Sequence, residues 1–257
     1  MENKNVNGIL IVDKPKNWTS HDVVAKLRNT LNIKKIGHGG TLDPEATGVL
    51  ILLLGTMTKR ATDVLGMDKE YLIDFILGRS TTTGDGEGDT IDELPVNDPR
   101  LVSITDKQIN NAIHPFIGEI TQVAPWYSAI KVNGKKLYQY ARGKSPQELV
   151  ALEVEVERPV RTIEVHTLSL DDFTRGTAQK YPYGRLHIHC SSGTYTRVVV
   201  EDLGKALDVP AYQTDLRRVR IGGFDLHDAV TVTEFSEVEK ILPLIIPERQ
   251  AVQKLSQ

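Results

Sequence analysis

Cysteine is nearly absent from this chain. Cys190 is alone among 257 residues, which excludes an intrachain disulfide framework and fits a reducing compartment. No apolar run approaches the ~18 residues of a membrane span. The opening Met1-Glu2-Asn3-Lys4-Asn5 lacks the apolar core of a secretion signal, so a cytoplasmic protein is expected. Charge of one sign is lacking too: 31 basic against 34 acidic side chains leave a formal charge of −3. That excludes a protein coated in positive charge but not one with a local basic face. There is no repeat of fixed period and no long low-complexity tract. What remains, 40% hydrophobic and 25% charged residues, is ordinary globular usage. The length suits one large domain, or one domain with a small appendage.

Local patterns then place elements. Ile9 to Val12 reads as a short strand stopped by Asp13-Lys14-Pro15. Thr19 with Asp22 reads as a capping box opening a helix that lines up Val23, Leu27 and Leu31. Val49 to Leu54 is short and wholly apolar, the pattern of a strand covered on both faces. Tyr71, Ile73, Phe75 and Leu77 alternate with Leu72, Asp74 and Ile76 as another strand. Residues 79–100, rich in Gly, Thr and Asp, read as an exposed loop. Ile109, Ile113 and Phe116 mark a short helix, Arg185 to Cys190 a strand, and Arg197 to Leu207 a helix. Strands and helices without strict alternation point to an α+β fold.

The segment richest in chemistry is Lys34-Lys35-Ile36-Gly37-His38-Gly39-Gly40-Thr41-Leu42-Asp43-Pro44-Glu45-Ala46-Thr47-Gly48. Its glycines allow tight turns and close approach to a ligand, and Pro44 fixes the chain just after Asp43. A carboxylate held so can act as base or nucleophile. The same residue types equally make a plain solvated turn. The segment is no Walker loop, since no Gly-Lys-Ser/Thr ends it, and its glycines miss the dinucleotide spacing. Asp85-Gly86-Glu87-Gly88-Asp89 fails as a calcium loop, with Thr90 where glycine is required and Val96 where the bidentate Glu belongs. His187 and His189 share a strand face while Cys190 points to the other, and no second cluster completes a metal site.

A third pattern interleaves cations with rings. Lys131, Lys135, Lys136, Arg142 and Lys144 alternate with Trp126, Tyr127, Tyr138 and Tyr140. Lys34 and Lys35 precede the glycine segment, and Arg217, Arg218 and Arg220 come later. Cations that neutralise phosphates and rings that stack bases are the equipment of an RNA binder, although a soluble surface over core tyrosines has the same composition.

Gly37 through Gly48 resembles the catalytic segment of the TruB family of tRNA pseudouridine synthases. Gly8-Ile9-Leu10-Ile11-Val12-Asp13-Lys14-Pro15 resembles the family's N-terminal motif. Lys69-Glu70-Tyr71 with Leu77-Gly78, Thr81, Thr83, Asp85 and Gly88 resembles its second. Pro125 to Lys131 with Gly134 and Tyr140-Ala141-Arg142 resembles its RNA-gripping thumb. Cys190 to Arg197 with Asp202-Leu203-Gly204 and Leu216-Arg217-Arg218 completes the series, in order over about residues 7–232. Two positions and one stretch depart from the pattern: Thr82 replaces a common aspartate, Ala124 a common proline, and residues 143–154 are longer than the usual connection.

The resemblance implies a mixed, largely antiparallel central sheet flanked by helices, with a thumb-like insertion at about 122–156. It implies a catalytic domain over 1–235, and residues 236–257 as a short tail with no PUA domain. The implied reaction isomerises uridine-55 in the tRNA T-loop to pseudouridine after the base is flipped out. Asp43 is then the catalytic carboxylate, Arg197 its guanidinium partner, and Tyr71 the ring stacked on the base. His38, Lys14, Gly39, Thr41, Asp85, Lys131, Tyr195 and Leu216 become substrate contacts. Lys34, Lys35, Lys135, Lys136, Arg142, Arg217 and Arg218 become contacts to the RNA backbone. No cofactor or metal is expected, the partner is the tRNA T-arm, and a monomer is the default. Two other readings compete: the synthase subunit of an RNA-guided particle, and an RNA-folding factor whose catalysis is incidental.

Overall fold

The structure, a computed structural model, describes residues 6–255. The chain divides into two compact units, the first built from residues up to Leu72 and from Leu216 onward, the second from Ile73 to Asp215. Among the described residues no helix is long and apolar enough to cross a membrane.

Unit one opens with β1 (Gly8–Lys14), α1 (Ser20–Leu31), β2 (Ile36–His38) and β3 (Thr47–Leu54). The capping box read from Thr19 and Asp22 is present and fixes where α1 begins. Asn32, in left-handed geometry, ends the helix. Val23, Val24, Leu27 and Leu31 pack on Leu10, Val12, Leu50, Leu52 and Leu54, one face of the β1–β3 pair. The opposite face presents Ile9, Ile11, Val49, Ile51 and Leu53 to Met57, Val64, Ile221 and Phe224. β3 is thus covered on both sides, as its unbroken apolar run predicts. Next come α2 (Ala61–Gly66) and β4 (Lys69–Leu77), which starts in unit one and ends in unit two.

Unit two continues with β5 (Arg79–Thr81), β6 (Thr90–Glu93), α3 (Pro99–Val102), α4 (Asp106–Ile113) and β7 (Gly118–Val123). Residues 79–100 are therefore not one loop: β5 and β6 form a hairpin. All four β6 residues are exposed, so no apolar alternation marks it. The insertion follows, with β8 (Lys131–Val132), β9 (Lys135–Lys136), α5 (Leu137–Ala141) and α6 (Pro146–Glu155). Its own small core gathers Ala124, Trp126, Leu137, Ala141, Leu149 and Val156. The extra length at 143–154 is α6, opened by a capping box from Ser145 and Glu148 with Pro146 in its first turn.

β10 (Val160–Thr174), β11 (Tyr183–Cys190) and α7 (Thr196–Ala206) complete unit two, apart from the first residues of β12 (Ala211–Ile221). The strand order here is β4–β11–β10–β7, with β10 antiparallel to both its neighbours. His187 and His189 lie on β11, His189 against the ring of His166 at 4.6 Å between centroids, and Cys190 is fully buried.

Back in unit one, β12 pairs parallel to β3 through Arg217 with Thr47 and Arg218 with Gly48. Then come β13 (Phe224–Asp225), β14 (Val230–Thr231), α8 (Val238–Ile241), β15 (Ile246–Pro247) and α9 (Glu248–Leu255). The stretch after 235, expected as a tail, is built into this unit. β15 pairs with β1, and Ile241 and Ala251 are wholly buried. The α+β class and the largely antiparallel sheet are as expected from the sequence.

Candidate active site

Asp43 is exposed, but the chain on both sides of it is fixed. Its carbonyl accepts from Ala46 N–H at 3.1 Å, closing a four-residue turn with Pro44 at the second position, where a fixed φ is favoured. Before it, Leu42 is buried and exchanges two hydrogen bonds with buried Ser20, N–H to Oγ at 2.9 Å and Oγ–H to the carbonyl at 3.1 Å. After it, the Pro44 carbonyl accepts from Asn17 N–H at 2.9 Å and from Lys14 Nζ at 3.0 Å. Upstream, a Cβ on Gly39 would meet Val64 Cγ1 at 2.5 Å, so only glycine lets this loop lie on α2.

Lys14 is wholly buried, and its ammonium donates to three carbonyls, those of Pro15, Trp18 and Pro44. Three N–H donors meet three acceptors, which is complete satisfaction. The expectation that Lys14 touches substrate is corrected here: it is enclosed, and it holds the Asp43 turn from beneath. Burial lowers its pKa from the ordinary 10.5 to about 8, against the opposing charges of Asp43 and Glu45. Lys14→Met should remove the donor from the Pro15 and Trp18 carbonyls and cost about 1–3 kcal/mol at neutral pH. Between about pH 8 and 10.5 the unfolded chain binds the Lys14 proton while the folded chain does not. Wild-type stability therefore rises with pH across that window relative to Lys14→Met, and the gap widens. Urea midpoints at neutral and alkaline pH check this; a gap that stays constant or narrows contradicts it.

Arg218 is 2% exposed. It donates to the carbonyls of Val49 at 2.8 Å, Gly40 at 3.2 Å and Thr41 at 3.4 Å, and it hydrogen-bonds the Tyr71 side chain. Burial pushes its pKa down, while Tyr71 and the nearby Asp43 charge oppose the shift. The expectation that Arg218 contacts the RNA backbone is thus corrected: it is an internal brace between the glycine segment, β3 and Tyr71. A Cβ on Gly48 would lie 2.1 Å from the Arg218 carbonyl, which explains the glycine at that φ of 103°. Arg217, next along the strand and so on the opposite face, forks onto Asp13 at 2.7 and 3.1 Å. Leu216, just before it on β12, is partly exposed. Half-buried His38 has its pKa lowered by burial and then by Arg218 and His21, which favours the neutral ring. Thr41 is exposed, as are Lys34 and Lys35 ahead of β2.

In unit two Arg197 is set by three acceptors, Thr83 carbonyl at 2.8 Å, Asp85 Oδ2 at 3.0 Å and Tyr127 carbonyl at 2.9 Å. Asp85 is turned toward it by Thr83 Oγ1 and by Glu87 N–H at 3.1 Å. Tyr195 has both backbone groups held by the buried Gln122 amide, at 2.9 and 3.2 Å. The thumb hairpin joins β8 to β9 through Asn133-Gly134, both at positive φ, the residues a two-residue turn demands. Lys135 sits 4.4 Å from the Tyr140 ring centroid and Lys136 5.5 Å from that of Tyr138, while Lys131 and Arg142 are exposed.

The structure thus groups Lys14, Asp43, Tyr71 and Arg218 in one unit, and Asp85, Arg197 and Tyr195 with the thumb in the other. Sequence reasoning missed Asp13, Asn17 and Ser20 as supports. Their partners lie 204, 27 and 22 residues away, and no local pattern carries such pairings.

These segments have relatives. A model described as the TruB family pseudouridylate synthase, N-terminal domain, matches residues 28–196. The chain is 39% identical over 231 residues to a tRNA pseudouridine synthase B of Shouchella clausii, covering 90% of this chain and 72% of that one. It is 41% identical to a protein of the same name from Listeria monocytogenes, at 91% and 72% coverage. Among solved structures it is similar to a chain of a Cbf5-Nop10-Gar1 complex, with TM-score 0.68 and 27% identity over 96% of this chain; it spans 62% of that chain. This chain belongs to the TruB family of pseudouridylate synthases.

Proposed function

We propose that the chain isomerises a uridine of tRNA to pseudouridine, acting on uridine-55 of the T-loop. The observation that carries the proposal is the exposed Asp43 carboxylate on a turn clamped by Ser20, Lys14, Asn17 and Arg218. A group held in fixed geometry costs little reorganisation when it meets the reacting carbon. Relatives near 40% identity that carry the name tRNA pseudouridine synthase B support tRNA as the substrate. They favour the stand-alone enzyme over the RNA-guided subunit, whose solved relative is 27% identical.

In the reaction the C1′–N1 bond breaks, the uracil turns in place and C5 joins C1′. The hydrogen leaves C5 and a proton is taken up at N1, so atoms balance within substrate and solvent. Asp43 attacks C1′ or takes the 2′ proton. The target base reaches it flipped out of the loop. Tyr71 stacks on that base, and Arg197 supplies a guanidinium to the reaction. Leu216 and Tyr195 line the base, and His38 fills the space that the base leaves. The domain carrying this chemistry runs past residue 235, with β15 and α9 as part of it, and bears the thumb at about 122–156. The protein works in the cytoplasm, as a monomer gripping the T-arm.

A chain of net charge −3 must concentrate its cations to hold RNA. Lys34 and Lys35 in unit one, and Lys131, Lys135, Lys136 and Arg142 on the thumb, serve that end. Replacing Lys135 and Lys136 together by Gln should weaken tRNA binding and reduce the salt slope by roughly 1–2, with the saturated rate nearly unchanged. Titrations at several salt concentrations check this; an unchanged slope contradicts the assignment. The reading as a whole is tested by incubating the protein with an unmodified tRNA transcript and mapping pseudouridine. Product at position 55 supports it, and binding without product favours the folding-factor reading.

A further inference from the structure

A groove of about 920 Å³ in unit two has none of Asp43, Tyr71 or Arg197 in its lining. One wall is β7, from which Thr121, Gln122 and Val123 all line the space. Side chains alternate along a strand, so three consecutive residues line one groove only where the strand offers its edge. β7 is that edge: it ends the strand order, and among the described residues its ladder partner is β10. α6, the extra stretch in this sequence, also lines it through Leu149, Val150 and Glu153.

The surface is apolar where it should be polar if water were its lasting neighbour. Val150 is 69% exposed and Val123 42%, and Val160, the cross-strand partner of Val123, is 63% exposed. The charge is of the wrong sign for RNA, with five carboxylates lining the groove against three cations. Those cations are already engaged, Arg100 with Asp98 at 3.0 Å, Lys205 with Asp202 at 2.8 Å, and Arg158 with Glu153.

We propose that this groove seats an extended segment of a partner protein, rich in lysine or arginine, which adds as a strand to the edge of β7. Backbone hydrogen bonds to β7 supply affinity, alternate apolar side chains pack against Val123 and Val150, and the cationic ones face Asp92 and Asp208. The groove also reaches Thr83 and Tyr127, whose carbonyls anchor Arg197, so a seated segment bears directly on that anchorage.

The test uses the full chain and a fluorescein-labelled peptide of about eight residues alternating valine and lysine, long enough to match a strand. The peptide is expected to bind with an affinity that falls with salt, and to protect the amides of residues 118–123 from hydrogen exchange. A valine–glutamate peptide of equal length should bind at least about tenfold more weakly, and Val150→Lys should weaken the lysine peptide by about tenfold. Val150 is exposed enough for that variant to fold, which its unchanged melting profile would confirm. No binding, equal binding of both peptides, indifference to Val150→Lys, or unprotected β7 amides overturns the proposal. One-for-one displacement of the peptide by tRNA makes the groove an RNA surface and overturns it too. So does sedimentation showing a dimer that Val150→Lys dissociates, since the occupant is then a second copy.

Discussion

Asp43→Asn should fold as the wild type does, bind tRNA nearly as well, and turn over more than about 1,000-fold more slowly. The side chain is exposed, and the turn is closed by the Asp43 carbonyl and by groups on Leu42 and Pro44 that the substitution leaves alone. Stability should therefore change by no more than about 0.5 kcal/mol, the range for exposed positions without special contacts. One electrostatic side effect follows. Asp43 raises the Lys14 pKa, so removing its charge lets burial lower that value further. Single-turnover kinetics with saturating enzyme separate the chemistry from binding. A rate within tenfold of wild type would move the reaction to another residue.

The second large effect is expected at Arg218. Arg218→Met leaves the carbonyls of Gly40, Thr41 and Val49 without their donor inside the protein, and should cost about 3–5 kcal/mol of stability. Arg218→Lys keeps a charge but loses the planar fork that reaches three carbonyls and Tyr71 at once. It should fold, with kcat down by roughly 100-fold and KM little changed, because the loop that carries Asp43 loses its fixed geometry. Denaturant midpoints and steady-state kinetics on both variants check the pair. A Lys variant with normal kcat would reduce Arg218 to a packing role, and a Met variant of normal stability would contradict the bonding described.

Short-range patterns in the sequence are realised almost residue for residue. The Thr19–Asp22 capping box, the apolar run of β3 and the alternation of β4 depend on neighbours within a few positions. β10 carries no such signal. Its fifteen residues mix exposed and buried positions without steady alternation, and its pairing with β11 is broken by two register shifts. The β5–β6 hairpin is equally silent, because β6 has no buried face.

At the site, Asp43, Tyr71 and Arg197 stand out through resemblance to a family, not through local chemistry. Adjacent arginines at 217 and 218 look alike in sequence. Strand alternation alone says that two consecutive side chains face opposite ways, which is a signal that one of them lies inside. Which one is inside depends on the parallel pairing of β12 with β3, a contact 170 residues apart. Lys14 is the same case: a lysine before a proline reads as exposed until three distant and local carbonyls enclose it.

Isomerisation of uridine expels the hydrogen at C5, so tritium release from a tRNA transcript made with [5-³H]uridine reports the reaction itself. Wild-type protein should release one equivalent of tritium per tRNA without cutting the chain, and Asp43→Asn should release none on the same timescale. Absence of release by the wild type, or equal release by the variant, would contradict the account.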